Sequence, residues 1–419
     1  MPASSSTAAP AQQRQRGKLF SIVILLLAEV TAMGVWFSAS TAVAVIQRTH
    51  AISAFDEALL TSAVQFGFVA GTLTSALLSL PDRYDLRRLF AGSALVAAMA
   101  TGALAFLPPT GGAVVVLRFI TGMCMAGVYP VGMRLAATWA QRDLGLLIGL
   151  LVGALTLGSA SPHLVSAALD PAAGAADWRA IYAVAAACAG GAAVLIGWAG
   201  IGPNFKRAAR IDLSKMTQAW RQPAVRLANL GYLGHMWELY AMWAWLALFL
   251  QQTLATRGVA DARAHAEWLT FGVIAVGALG AWLGGWLADR VGRTAVTIGA
   301  MATSASCAAL MGWLAEAPMT VLVIVALVWG VSVIADSAQF SASVTELAEP
   351  SSIGTLLTAQ TCAGFLLTLA SIHLVPGVVA LLGWRGGFGM LAIGPALGCV
   401  AMWRLRQHPD ARKLAGGRR

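Results

Sequence analysis

The sequence predicts an all-α integral membrane protein with twelve transmembrane helices, arranged as two pseudo-symmetric bundles of six. Three observations lead to this prediction: charged residues are few, apolar residues arrive in long blocks, and one motif recurs half a chain later. Of the 419 residues, 58% are hydrophobic and 11% are charged. Because soluble globular domains carry about 25% charged residues, this composition excludes a soluble enzyme.

The apolar blocks are long enough to cross a bilayer core of ~30 Å as helices. The first block follows a polar tail and is too long for a signal-peptide core, so we expect it to be retained. Most blocks are also too long and too uniformly apolar for barrel strands, which would alternate over about ten residues. The twelve predicted spans are 19–46, 57–80, 88–107, 112–137, 145–168, 178–200, 226–252, 266–288, 294–315, 319–343, 354–376 and 386–405.

The lysines and arginines are concentrated on one side of these spans. Of the 28, 22 lie in segments on the same side as the N-terminus, five lie on the other side, and one is inside a span. Cytoplasmic loops carry the excess of basic residues, which predicts that both termini are cytoplasmic. The net charge of +10 therefore orients the protein and requires no nucleic-acid partner.

Short phrases recur at a nearly constant offset. The pattern ExxAMxxW begins at Glu29 and again at Glu238, 209 residues later. The Asp-Arg pair at position 82 returns at position 289, and the Trp-Arg pair at 178 returns at 384, with offsets of 207 and 206 residues. Three anchors within three residues of one offset indicate a duplicated unit of six helices.

The longest internal loop divides the two predicted halves. It is polar and basic, as a linker between duplicated units should be. We predict a cytoplasmic tail at 1–18, an N-terminal bundle at 19–200, a cytoplasmic linker at 201–225, a C-terminal bundle at 226–405 and a basic cytoplasmic tail at 406–419. Parallel repeats of six helices are a known transporter plan, with the substrate site between the halves near the midplane.

One loop motif resembles that of a known family. The residues Gly285, Asp289, Arg290, Gly292 and Arg293 read GxxxDRxGR. This pattern is similar to the loop signature of the major facilitator superfamily between helices eight and nine. The resemblance covers essentially the whole chain and implies a twelve-helix secondary permease of bacterial type, with alternating access and usually proton coupling. It names no substrate.

The usual second copy of this signature, between helices two and three, is degraded. Asp82 and Arg83 are present, but Leu78 and Asp85 stand where glycines are expected. In span four, Arg118 and a glycine four residues later resemble a motif of proton-linked members of the superfamily.

Two carboxylates lie deep in the predicted spans. Glu29 is about ten residues into span one and Glu238 about twelve into span seven, so both are ~15–18 Å deep. A carboxylate at this depth is expensive and often marks an ion or substrate path. If the halves face each other, both line one cavity and exchange protons; alternatively, each only hydrogen-bonds a neighbouring helix.

Other polar and aromatic residues extend this candidate site. His235, one turn before Glu238, either relays protons or orients that carboxylate. Arg118 either snorkels outward or binds a carboxylate or an anionic substrate. The remaining candidates for the cavity are Trp36, Tyr240, Trp245, Asp336 and Gln339. His163 and His373 lie toward the outer ends of helices and carry no distinctive signal.

Common catalytic and energy-coupling motifs are missing from the sequence. No GxxxxGK[ST], HExxH, CxxC or GxSxG occurs, and the five cysteines fall singly in different apolar blocks. We therefore expect no ATP-driven transport, no enzyme activity, no cofactor and no metal. The sequence predicts a monomeric secondary transporter of a small organic solute in the bacterial inner membrane, with protons as coupling ion. The alternatives are an uncoupled facilitator, a membrane sensor with a transporter fold, and an integral-membrane enzyme.

Overall fold

The computed structural model describes residues 8–47, 50–141, 143–168, 178–205 and 212–419. Several basic residues used to orient the chain fall outside this description, namely Arg48, Arg142, Lys206, Arg207 and Arg210, as do the side chains of Arg14 and Arg16. Parts of the predicted tail 1–18 and linker 201–225 are outside it for the same reason. The domain boundaries therefore stay predictions.

Long helices dominate the described residues, among which no strand occurs. The α-helices are α1 (Ala8–Ile46), α2 (Ala54–Leu77), α3 (Leu80–Arg83), α4 (Leu86–Leu104), α5 (Gly112–Met125), α6 (Tyr129–Ala137), α7 (Leu144–Ala168), α8 (Trp178–Leu195), α9 (Gln218–Arg221), α10 (Pro223–Thr256), α11 (Ala262–Val291), α12 (Arg293–Met311), α13 (Met319–Ala335), α14 (Ser337–Leu347) and α15 (Ile353–Gln407).

Nine helical segments of the described chain are long and apolar enough to cross a membrane. The helices α4 and α10 coincide with predicted spans but are not among the nine. Helix α15 covers the last two predicted spans, and its backbone leaves the helical region at Gly383, where φ is 67° and ψ is −174°. A positive φ favours glycine, so this residue marks the turn between the two spans. The count of twelve stays a prediction.

Two predicted spans are each built from two helices. In span four, α5 ends at Met125 and α6 begins at Tyr129, with Pro130 in its first turn. Proline has no N–H to continue the preceding helix, which explains this break. In span ten, α13 and α14 are separated by Asp336. The two breaks lie about 209 residues apart, close to the offset of the sequence repeat.

Helix α7 of the first half packs closely against α11 of the second. Two glycines of α7 face this partner: a Cβ added at Gly149 would lie 3.5 Å from the carbonyl oxygen of Ala281, and one at Gly153 would lie 3.5 Å from that of Ala278. Small residues allow helix backbones to approach this closely. A second seam between the halves joins α2 to the first part of α15, through the rings of Phe68 and Phe365.

We call the end of the bundle that carries the segment 201–225 the linker end, and the opposite end the far end. Helices α1, α7 and α10 run from the linker end toward the far end, whereas α2 and α11 run the other way. The predicted orientation makes the linker end cytoplasmic.

Candidate functional site

Glu238 is held by hydrogen bonds inside its own half. The Trp329 indole donates from Nε1 to Oε1 of Glu238 at 2.7 Å, and the Ser304 hydroxyl donates to Oε2. These partners come from α13 and α12, and the glutamate is 1% exposed. Both carboxylate oxygens therefore have donors without any contribution from the N-terminal half.

Glu29 is buried in a different way. It is 0% exposed, and neither carboxylate oxygen has a hydrogen-bond partner among the described residues. A Cβ added at Gly132 of α6 would lie 2.7 Å from Oε2 of Glu29, so the glycine leaves room for the carboxyl group. A buried charge without a partner is costly, and binding a proton or a ligand group removes that cost.

His235 contacts Asp336 rather than the adjacent Glu238. Its Nδ1 lies 2.9 Å from Oδ1 of Asp336, and both side chains are almost fully buried. The contact lacks hydrogen-bond geometry at Oδ1, and His235 Nε2 has no partner among the described residues. The pair brings the break between α13 and α14 next to α10, so a polar contact lies where the helix is interrupted.

Arg118 ties three backbone carbonyls together. Its guanidinium donates to the carbonyl oxygens of Leu60, Val35 and Trp36 at 3.1, 2.8 and 2.6 Å, and also to the Ser38 hydroxyl. The side chain is fully buried, which excludes snorkelling. The arginine thus fastens α5 to α1 and α2, and its printed partners include no carboxylate among the described residues.

Six buried aromatic side chains meet where the two halves join. This seam aromatic cluster consists of Trp36, Phe37, Phe68, Tyr240, Trp243 and Phe365, contributed by α1, α2, α10 and α15. Trp36 lies 6.0 Å from Tyr240 and 5.6 Å from Phe365, measured between ring centroids. Trp245 is outside the cluster and donates to the carbonyl oxygen of Ile372 within its own half.

Polar atoms without partners accompany the cluster. The indole Nε1 atoms of Trp36 and Trp243 and both amide atoms of Gln65 have no hydrogen-bond partner among the described residues. Gln65 lies on α2, one turn before Phe68, and is 0% exposed. Buried polar groups normally have partners, so these atoms make the surroundings of the cluster a candidate site.

The loop motif binds helix α14 at the linker end. Arg293 donates to both carboxylate oxygens of Glu346 at 2.8 and 2.6 Å and to the Gln339 side-chain oxygen at 2.8 Å. Gly292 has a φ of 100°, which only glycine adopts without strain. Gln339 therefore belongs to the linker-end motif rather than to the aromatic cluster. Glu346 also accepts from the backbone N–H of Ala415 at 2.9 Å.

Asp289 is near the end of α11, and its side chain approaches the start of α7, which belongs to the N-terminal half. A Cβ added at Gly145 would lie 3.4 Å from Oδ2 of Asp289. A carboxylate is favourable there because the N-terminus of a helix carries partial positive charge. Arg290 stacks on Trp286 of its own helix, with 3.6 Å between guanidinium and ring centroid. Gly285 also faces Gly145.

The degraded copy of the motif makes contacts within the N-terminal half. Asp82 accepts a hydrogen bond from Arg134 of α6, and Arg83 is exposed. The Arg87 guanidinium hydrogen-bonds Asp85 and holds the pKa of that carboxyl at about 2. A lowered pKa means that this contact contributes stability above the ordinary Asp value and loses it as the pH falls toward 2.

The structure brings together residues that sequence reasoning missed. His163 of α7 contacts Glu267 of α11, Arg263 donates to Ser166, and Ser62 hydrogen-bonds His373. All three contacts cross between the halves at the far end. No sequence signal singled them out, because each residue lies near a helix end, where a polar side chain is ordinarily solvated.

Comparisons with known proteins agree with the described architecture. The family model of the Major Facilitator Superfamily matches residues 25–262, more than half of the chain. No curated protein matches the sequence. A crystal structure of a mutant of the nucleoside transporter NupG is similar in fold, with a TM-score of 0.71. At 14% sequence identity it covers 93% of this chain and 99% of its own chain.

These findings confirm the predicted fold class of two-bundle membrane transporters. They also confirm that the chain is a multi-pass membrane protein of a transporter family rather than an enzyme. The chain belongs to the major facilitator superfamily.

Proposed function

We propose that the protein is a secondary active transporter that moves a small organic solute by alternating access, coupled to protons. The observation that carries the coupling is Glu29, a fully buried carboxylate whose oxygens have no hydrogen-bond partner among the described residues. A carboxyl group that is costly to bury as a charge ties proton binding to the conformational state that buries it. Glu238, at the repeat-related position, is the second proposed coupling residue.

The solute site is proposed to lie in the seam aromatic cluster. Its rings come from both halves, so a solute held among them would contact both and would be released when they separate. The amide of Gln65 offers one acceptor and two donors, and the indole N–H groups of Trp36 and Trp243 offer further donors. Aromatic faces with a few polar groups suit a planar ring that carries hydrogen-bonding atoms.

The fold comparison suggests the first solutes to test. NupG is a nucleoside transporter by its title, and a nucleoside contains a planar ring of the kind just described. We propose ring-bearing organic solutes, nucleosides among them, as the class to examine first.

Orientation and localisation are part of the same proposal. Both termini and the linker lie in the cytoplasm, and the protein is a monomer of the bacterial inner membrane. The segregation of lysines and arginines supports this orientation. Ser214 is exposed in the linker segment, so an introduced Ser214→Cys should react with an impermeant thiol reagent only from the cytoplasmic side. Labelling of intact cells from outside would contradict the proposed topology.

A panel of solutes tests the function. A ligand that binds the folded protein raises its apparent thermal stability. We expect a planar, ring-bearing solute to stabilise the purified wild-type protein and to do so less in Gln65→Leu, which removes the amide but keeps a buried side chain. Stabilisation by open-chain or sugar solutes alone would contradict the proposed site.

A second candidate function is uncoupled facilitation. One observation favours it: both oxygens of Glu238 already have donors within their own half, an arrangement typical of a structural carboxylate. A facilitator would equilibrate its solute across proteoliposome membranes but would not accumulate it when a pH gradient is imposed.

A further inference from the structure

A buried titratable pair joins the two halves at the far end. Nδ1 of His163 lies 2.6 Å from Oε2 of Glu267, and the two side chains are 1% and 2% exposed. His163 belongs to α7 in the N-terminal half and Glu267 to α11 in the C-terminal half. Alternating access opens the far end by separating these helices, so the pair must break once in every cycle.

A second contact, between an arginine and a serine, accompanies the pair on the same two helices. Arg263, one turn before Glu267, donates to the hydroxyl and carbonyl oxygens of Ser166 at 2.9 and 3.2 Å. On the seam between α2 and α15, Oγ of Ser62 and Nε2 of His373 are 2.8 Å apart. The far end is therefore closed by polar contacts on both seams. We call His163, Ser166, Arg263 and Glu267 the far-end latch.

Other charged groups near the latch come from few elements. Arg263 is the cation closest to Glu267 along α11, and Asp261 and His265 lie at the exposed start of that helix. Arg179 begins α8 at the same end. The far halves of α1, α10 and α13 contribute no Asp, Glu, His, Lys or Arg, since residues 30–47, 241–256 and 319–335 contain none.

The chemistry of the pair assigns the proton to the imidazole. An ionised carboxylate only accepts hydrogen bonds, whereas an imidazole N–H donates one, so His163 is the donor of the 2.6 Å contact with Glu267. Nδ1–H of His163 donates to that carboxylate, which leaves the lone pair on Nε2, and Nε2 has no hydrogen-bond partner among the described residues. A proton added at Nε2 converts the imidazole to imidazolium and places opposite charges in contact within a dry interface, where their attraction is strong.

We propose that His163 and Glu267 form a proton-binding site of the transport cycle: the far end closes with one proton taken from far-side water onto His163 and opens with its release. This inference rests on the proposed alternating access. The site is separate from Glu29 and Glu238, which lie deeper and within single halves.

The reactivity of a buried residue at the far end measures the equilibrium between the open and closed forms of that end. Thr270 lies one turn beyond Glu267, is 0% exposed, and its hydroxyl has no hydrogen-bond partner among the described residues. Labelling of Thr270→Cys by an impermeant thiol reagent, quantified by peptide mass spectrometry at position 270, reports how often the far end opens. The exposed Ala260→Cys corrects for the pH dependence of the reagent itself.

In the wild-type background, acid should close the far end. One linked proton changes the ratio of open to closed forms by up to about tenfold per pH unit. We expect His163→Gln and Glu267→Gln each to remove this pH dependence, and the double variant to remove it as well. Ser166→Ala is the matched control, because it weakens the latch without touching the titratable pair. The Ser166→Ala variant should raise labelling at position 270 at every pH and leave the dependence of labelling on pH unchanged.

Two results would overturn the proposal: labelling at position 270 that does not change with pH in the wild-type background, or an unchanged slope in both glutamine variants. The assay needs no solute and no transport. A retained slope in a protein that never accumulates solute would therefore count against proton-coupled transport and leave the latch in place.

Discussion

The two halves carry the same carboxylate motif but surround it differently. Glu238 accepts hydrogen bonds from Trp329 and Ser304, whereas Glu29 has no hydrogen-bond partner among the described residues. Positions 206–209 residues before those two donors read LVAA at 95–98 and ITGM at 120–123, with neither serine nor tryptophan. The two equivalent carboxylates therefore differ in their surroundings: two donors hold Glu238, and none among the described residues holds Glu29.

Apolar replacement should lower the free energy of unfolding strongly in one half and little or not at all in the other, and this is the largest effect we expect. Glu238→Leu leaves the Trp329 N–H and the Ser304 hydroxyl buried without an acceptor and should cost about 2–3 kcal/mol. Glu29→Leu removes a buried polar group that has no partner to lose, so stability should change by less than about 1 kcal/mol or increase. Denaturant unfolding in detergent measures both. Equal losses would contradict the difference between the halves.

The loop motifs offer a second comparison. Asp289 reaches the start of α7 across the seam, whereas Asp82 binds Arg134 within its own half. Asp289→Ala should slow transport by about tenfold, the equivalent of ~1.4 kcal/mol, because it alters a contact made in only one state of the cycle. Asp82→Ala should slow it less.

Solute uptake, normalised to the amount of protein inserted in the membrane, decides this comparison. Unchanged transport by Asp289→Ala would remove the proposed role of the loop motif.

Removal of a single hydrogen-bond donor to Glu238 is the smallest change that tests how these bonds stabilise the protein. Trp329→Phe keeps an aromatic ring but loses the N–H that binds Glu238, and should cost about 1 kcal/mol, within the range for hydrogen bonds between membrane helices. Trp243→Phe is the matched control, because its Nε1 has no hydrogen-bond partner among the described residues. If both variants unfold at the same denaturant concentration, the bond to Glu238 contributes no stability.

The sequence was sufficient for the features that repeat along the chain. Apolar blocks predicted the helices, the offset near 209 residues predicted the duplication, and GxxxDRxGR predicted the family. It was insufficient wherever the outcome depends on a partner distant in sequence. From the sequence, Arg118 could have snorkelled outward or bound a carboxylate, and only its packing against α1 and α2 shows that its partners are backbone carbonyls.

Gln339 and His163 were also assigned incompletely from the sequence because their partners are distant along the chain. Gln339 shares a helical face with Asp336, which suggested the cavity, but Arg293 draws its side-chain oxygen into the linker-end motif. His163 gave no signal because nothing in its own segment reveals that Glu267, 104 residues later, packs against it. Helical periodicity identifies the face of a residue, and tertiary packing decides which partner that face meets.

Accumulation of solute in proteoliposomes tests the central claim, that buried carboxylates couple protons to transport. A ring-bearing solute that stabilises the protein is measured with an imposed pH gradient and, separately, with equal pH on both sides. Glutamine keeps the shape of glutamate but cannot release a proton. We predict that wild type accumulates the solute only with the gradient, and that Glu29→Gln loses most of this accumulation while still exchanging solute. The double variant with Glu238→Gln should lose it entirely. Accumulation equal to wild type in the double variant would contradict the account.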